Sequence, residues 1–340
     1  MLLRAGVVGE WCECLADGVP KIWRVRVIRL ALLGLMAGLA SVAAQAAPQE
    51  GAQSESPFSV QAGVGYETST SPFLNISDDG QFLTVNGSQR VSGAYAREAF
   101  SGMGNWQAGN VFVAWAANVD NKHSPSSPEL DFLSAIGNLT LGIPVSATAT
   151  VGANASMQKL WVAGDHFRDV RSLNLNWSLG QPDGGFWTAD VGVTRKRHPG
   201  IYVDMDSQVL SFSLHRHQPV HQMGLDHLDI DFSVEREKNA HGYADLSQRR
   251  AYVKVGGESK MGRATFSAGV LVAVAQYDES ALPGMPARRD RLLSYDAGVE
   301  WALKPGQTMA LDVAYAVNKA NSAVFDNSYR NVMLTWGLVW

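Results

Sequence analysis

The sequence predicts an all-β fold, a closed antiparallel transmembrane β-barrel of about 14 strands with both termini on the periplasmic side. Three observations predict it. The last ten residues, Asn331 to Trp340, put Val332, Leu334, Trp336, Leu338 and Trp340 on one face of an extended strand, since strand side chains alternate with period two. From Pro57 onward, segment after segment shows that alternation, separated by turn residues. After residue 46 no run approaches the roughly 18 apolar residues that a membrane-spanning helix needs. An ordinary terminal sheet strand, a sandwich and a propeller are the competing structures. No blade-length repeat and no composition shift divides the chain, which argues against them.

The elements follow in order. Arg24, Arg26 and Arg29 precede an apolar run from Leu30 to Val42, and Ala44-Gln45-Ala46 offers a small-x-small cleavage pattern. Residues 1–46 are therefore expected to be a secretory signal peptide. The stretch before Arg24 is long for a leader, so either the true start lies downstream of Met1 or the leader is of an extended type. Residues 47–56 are expected to be a periplasmic linker and 57–340 the barrel. Cys12 and Cys14, the two cysteines, leave with the leader, so the mature wall needs no disulfide.

Strands are expected at 57–67, 82–97, 105–118, 129–141, 145–160, 171–180, 186–197, 205–217, 224–237, 248–257, 263–277, 291–303, 307–319 and 329–340. The clearest alternation sets Leu173, Leu175, Trp177 and Leu179 against Ser172, Asn174, Asn176 and Ser178. Leu228, Ile230, Phe232 and Val234 likewise oppose Asp229, Asp231, Ser233 and Glu235. The third and fourth strands alternate poorly. Tight connections hold Gly142-Ile143-Pro144, Gln181 to Gly185, Glu258 to Gly262 and Lys304-Pro305-Gly306. Longer polar ones lie around Thr68 to Gln81, Asp120 to Pro128, Asp165 to Val170, Asn239 to Ser247, Asp278 to Asp290 and Ala320 to Ser328. Short turns alternating with long loops fit a barrel with periplasmic turns and extracellular loops.

Charge excludes some functions. The chain has 28 basic and 32 acidic residues; five basic and three acidic ones precede Ala47, leaving 23 against 29. No basic face suggests nucleic acid as a partner. Tyr66, Tyr95, Trp177, Trp187, Trp301, Trp336 and Trp340 are expected to face lipid near the interfaces. Inside, His215 and His217, then Asp229, Asp231 and Glu235, then Arg250 and Lys254 fall on adjacent strands. Such a cluster ties the wall by cross-strand ion pairs or lines an aqueous path. A metal reading through His215, His217 and His221 with Asp229 and Asp231 is the sharper alternative, and a hydrolase reading through His–Asp pairs is another. The structural role is favoured, with no cofactor, no metal and no enzyme activity expected.

The final third carries a family likeness. Arg289 and Asp290 lead to Trp301 and the Lys304-Pro305-Gly306 turn. Tyr315, Asn321, Asp326 and then Tyr329, Arg330 and Asn331 follow before the closing strand. This order over about fifty residues resembles the C-terminal barrel of the surface lipoprotein assembly modifier family, which is likewise fourteen-stranded. The resemblance implies help in translocating or displaying a surface lipoprotein. As a barrel the chain is expected to meet outer-membrane lipids and the barrel assembly machinery that reads the closing strand. The resemblance adds, as a partner, a surface lipoprotein or a separate periplasmic repeat protein. The last stands in for the helical-repeat domain that usually precedes such barrels, since only about ten linker residues precede the first strand here. A passive pore or an exopolysaccharide-export barrel in the bacterial outer membrane is the alternative.

Overall fold

Backbone pairing decides the architecture. A computed structural model describes residues 58–70, 91–220, 224–281 and 283–340. The expected signal peptide, the linker, His221 and most of the first loop lie outside the described residues. Fourteen strands run in chain order: β1 (Phe58–Ser69), β2 (Val91–Ala108), β3 (Val111–His123), β4 (Phe132–Pro144), β5 (Ala149–Val162), β6 (Asp165–Gly180) and β7 (Phe186–Arg197). The second half comprises β8 (Ser207–Pro219), β9 (His227–Asn239), β10 (Gln248–Met261), β11 (Ala264–Tyr277), β12 (Arg289–Lys304), β13 (Gln307–Ala320) and β14 (Asn327–Val339). Each pairs antiparallel with its neighbours, and β1 closes on β14 from Ser59 opposite Val339 to Ser69 opposite Tyr329. Closure leaves no sheet edge, so the ladder satisfies the backbone groups that a bilayer could not.

The two faces sort as the alternation dictates. Val64, Leu175, Leu210 and Val272 stand on the outer wall with 50–64% of their surface exposed. Glu67 and Ser69, of opposite parity on β1, point into the lumen and are almost wholly buried. An exposed apolar wall around a closed polar interior is the inverse of a water-soluble protein and matches a bilayer.

Several expected limits shift. β2 runs to Ala108 and β3 begins at Val111, where turns were expected near 98–104. Gly104 lies within β2. A side chain there would collide with the Trp115 ring at 2.6 Å, so this glycine makes room for an aromatic on β3. The turn instead uses Gly109, at φ 61°. The uncertain pairing of β3 with β4 resolves as Trp115 opposite Leu139 and Asn118 opposite Ile136. Gly142 to Pro144 belong to β4, and the turn follows at Val145 to Thr148, where the Ser146 hydroxyl accepts from the Ala149 amide at 3.0 Å. The polar stretch Asp165 to Val170 is strand rather than loop, because Ala163 and Gly164 alone make the hairpin. β10 likewise continues through the expected turn to Met261.

Candidate functional site

Register places the candidate cluster on one wall of the lumen. Neighbouring side chains on β8 and β9 meet because His215 stands opposite Asp231 and His217 opposite Asp229. The His215 Nδ1 to Asp231 Oδ1 distance is 2.7 Å, and His217 Nδ1 to Asp229 Oδ1 is 2.8 Å. Arg250 on β10 meets Glu235, Nε to Oε2 at 3.2 Å, as a cross-strand ion pair. Lys254 stands opposite Asp231 in register but makes no ion pair within 4.0 Å among the described residues. Six of the seven cluster residues are thus joined in pairs, and Lys254 stands apart.

The structure adds two members to the cluster: His227, which the alternation of β9 already puts on the lumen face, and Glu258, expected in a turn. His227, at the start of β9, brings Nε2 to 3.3 Å from Asp229 Oδ2, and Glu258 at the end of β10 lies 3.9 Å from the same nitrogen. Phe186 stacks on His217 with centroids 5.0 Å apart at 18°. None of the three histidines is hydrogen-bonded to a serine hydroxyl among the described residues, so no Ser–His pair stands here. Glu237 was overlooked in the sequence, though it shares the parity of Asp229, Asp231 and Glu235. It accepts from Lys196 Nζ at 3.1 Å, Gln248 Nε2 at 3.0 Å and the Ser207 hydroxyl at 2.5 Å.

Elsewhere the lumen is polar and unevenly charged. A cavity of about 460 Å³ is lined by Thr140, Asn154, Asn174, Asn176, Asp190 and Ser213, among other groups from β4 to β10. On the opposite wall Asp296 and Glu300 of β12 flank Asp312 of β13, which stands opposite Gly298. Asp190, Asp296, Glu300 and Asp312 have no ion pair within 4.0 Å among the described residues. Arg97 instead holds Asp120, Nε to Oδ1 at 2.8 Å, and Lys122 holds Glu67 at 2.6 Å.

Tyr95, expected on the lipid face, points inward. It stands opposite Gly65, and its hydroxyl donates to Asn331 Oδ1 at 2.7 Å two strands away. The crossing needs Gly65, because a β-carbon there would lie 2.4 Å from the Tyr95 ring. The other expected lipid-facing aromatics do lie on the outer wall: Tyr66, Trp177, Trp187, Trp301, Trp336 and Trp340 share the parity of its exposed apolar residues. So do Val332, Leu334 and Leu338 of the closing strand.

The residues of the family-like motif fasten the end of the chain rather than converge on a site. Asp290 accepts from Arg288 Nε at 2.8 Å, and Asn321 accepts from the Arg289 amide at 3.0 Å. Asp326 accepts from the Ala320 amide at 2.8 Å. Arg330 lies 5.5 Å over the Tyr315 ring, Tyr329 reaches Glu67 at 3.4 Å, and Trp301 faces outward opposite Met309.

Fold and wall together define a transmembrane β-barrel of the bacterial outer-membrane type. No protein-family model matches the chain, and no curated protein matches it. Among solved structures, OccK9 (OpdG) of Pseudomonas aeruginosa is similar at 9% identity, over 84% of this chain and 98% of that one, with TM-score 0.45. A loop-deletion mutant of OmpT, an outer membrane protein of Vibrio cholerae, is similar at 8% identity, over 83% and 98%, with TM-score 0.47. The CymD monoaromatic hydrocarbon channel follows at 11%, over 85% and 90%, with TM-score 0.40. Likeness at this level reaches no individual residue.

Proposed function

We propose that this barrel is an outer-membrane channel for small polar solutes, with a preference for cations. One observation carries the reading: the carboxylates of Asp190, Asp296, Glu300 and Asp312 face the lumen without a cationic partner within 4.0 Å among the described residues. Rings or arcs of unpaired acids favour cations in a water-filled pore. The Asn and Ser ladder around the 460 Å³ cavity supplies neutral hydrogen-bonding groups beside them. Single-channel recording in planar bilayers is the test. A steady conductance with K⁺ favoured over Cl⁻ is expected, and the D296N/E300Q/D312N triple variant should lower that preference several-fold. A silent wild-type barrel, or selectivity unmoved in the variant, overturns the reading.

A second reading follows from the C-terminal motif: service in translocating or displaying a surface lipoprotein, with a separate periplasmic repeat protein capturing the cargo. Its support is the residue order from Arg289 to Asn331. Loss of a surface lipoprotein on deletion, from a barrel that does not conduct, is its expected result; an unchanged surface proteome counts against it. Under either reading we place the termini in the periplasm and the long connections outside the cell. The closing strand then serves the assembly machinery, with Val332, Leu334, Trp336, Leu338 and Trp340 as the surface it reads.

A further inference from the structure

Three imidazoles surround one carboxylate at the end of the lumen where β1 begins and β14 ends. His217 Nδ1 lies 2.8 Å from Asp229 Oδ1, His227 Nε2 lies 3.3 Å from Oδ2, and His215 Nε2 lies 3.7 Å from Oδ1. Asp229 thus faces three imidazole nitrogens within 3.7 Å, while the neighbouring Asp231 is approached by His215 alone among the described residues. The nearest donor atoms of His217, His227 and Asp229 all lie within 4.8 Å of one another.

We propose that His217, His227 and Asp229 form a zinc-binding site, with His215 Nε2 or a lumen water in the fourth position. Zinc takes nitrogen and carboxylate oxygen at about 2.0–2.2 Å in a tetrahedron, which sets its donors about 3.3 Å apart. His217 and His227 each lie at or within that spacing of an Asp229 oxygen. The donor atoms of all three residues lie within 4.8 Å of one another, so side-chain rotation can bring them onto one metal. The donor set is the one such an ion selects, imidazole with a single carboxylate.

Surrounding groups favour a dication. Asp231 binds His215 Nδ1 at 2.7 Å, which turns Nε2 toward Asp229 and fixes the tautomer, as a carboxylate does behind a metal-bound histidine. Phe186 stacks on His217 and limits its rotation. Glu258 stands 3.9 Å from His227 Nε2 and adds a third negative charge. Lys254, opposite Asp231, is the cation nearest in register. Each proposed ligand retains 26–30% of its side-chain surface exposed, so the ion can enter from the lumen. The site does not depend on what the barrel transports.

The test uses the full folded barrel in detergent micelles, without a histidine tag and stripped with EDTA, titrated calorimetrically with ZnCl₂. One saturable Zn²⁺ per barrel is expected, with the visible absorption of tetrahedral Co²⁺ on substitution. His217→Ala and His227→Ala should each abolish saturable binding. Asp231→Asn, which alters only a positioning residue, should weaken affinity about 10- to 100-fold. His123→Ala and His241→Ala, in exposed positions, should leave binding unchanged. Heat-modifiable gel mobility verifies that each variant folds. Absence of saturable binding by the wild type, or full affinity in folded His217→Ala or His227→Ala, overturns the proposal. Conductance is measured on the same samples, so failure here is separable from failure of the channel reading.

Discussion

His198, in the connection after β7, is buried with neither ring nitrogen hydrogen-bonded among the described residues. Burial pushes its pKa down to about 4, and the positive charges of Arg168 and Lys196 act in the same direction, against Asp206 and Glu237. The folded value lies below the unfolded one of about 6.5, so protonation favours opening. The stability this neutral imidazole carries is complete above pH 6.5 and is lost as pH falls toward 4. Limited proteolysis of the 198–206 connection should therefore accelerate between pH 7 and pH 5. His198→Leu, which cannot charge, should flatten that dependence. Nothing in the sequence marks this residue, because Lys196-Arg197-His198 has the composition of a solvated basic run. Its burial comes from Phe167, whose ring meets His198 edge-on at 5.4 Å after a long excursion of the chain.

Among the elements, legibility tracks the cleanness of alternation. β6, β9 and β12 carry polar lumen faces and apolar outer faces, so their pattern is visible without partners. β3 and β4 obscure it: Phe132 points inward and lies beneath Lys122, whose Nζ is 5.1 Å from the ring centre, while Asn121 points outward. The β5–β6 hairpin was misread for another reason. Its two turn residues, Ala163 at φ 51° and Gly164 at φ 88°, both take the left-handed conformation of a type I′ turn. An alanine is a poor signal for that turn, since the conformation costs it about 1–2 kcal/mol. Ala163→Asn should stabilise the barrel by about 0.5–1 kcal/mol in urea unfolding, and Ala163→Val should destabilise it. No gain from Asn would mean the turn is not strained.

Across the whole molecule the two rims differ. Seven tryptophans, Trp106, Trp115, Trp177, Trp187, Trp301, Trp336 and Trp340, stand on the outer wall toward the end holding the chain terminus. Toward the loop end the outer wall carries Arg171, Arg195, Arg197, Arg236, Lys238, Arg249, Arg289, Arg291, Lys319 and Arg330. There an outer groove of about 1340 Å³ sets Arg249, Arg289 and Arg291 above Leu210, Phe212 and Val234. Basic groups above an apolar wall suit phosphate-bearing lipid headgroups with their chains below, at about 1 kcal/mol for each basic residue. The barrel should unfold at higher temperature in vesicles with anionic phospholipid than in zwitterionic ones. R249Q/R289Q/R291Q should remove most of that difference; an unchanged difference would place the lipid contact elsewhere.

The sequence by itself determined that this chain is a membrane barrel of fourteen strands, and which face of most strands meets lipid. Period-two alternation is a local property, written within each segment. Only the tertiary structure decided which residues meet across strands. Register brought His217, His227 and Asp229 together, gave Arg250 to Glu235, and left Asp296, Glu300 and Asp312 without an ion pair within 4.0 Å among the described residues. It also turned Tyr95 inward over Gly65. These outcomes depend on where each strand begins and on the partner beside it, and a shift of one residue reverses the faces.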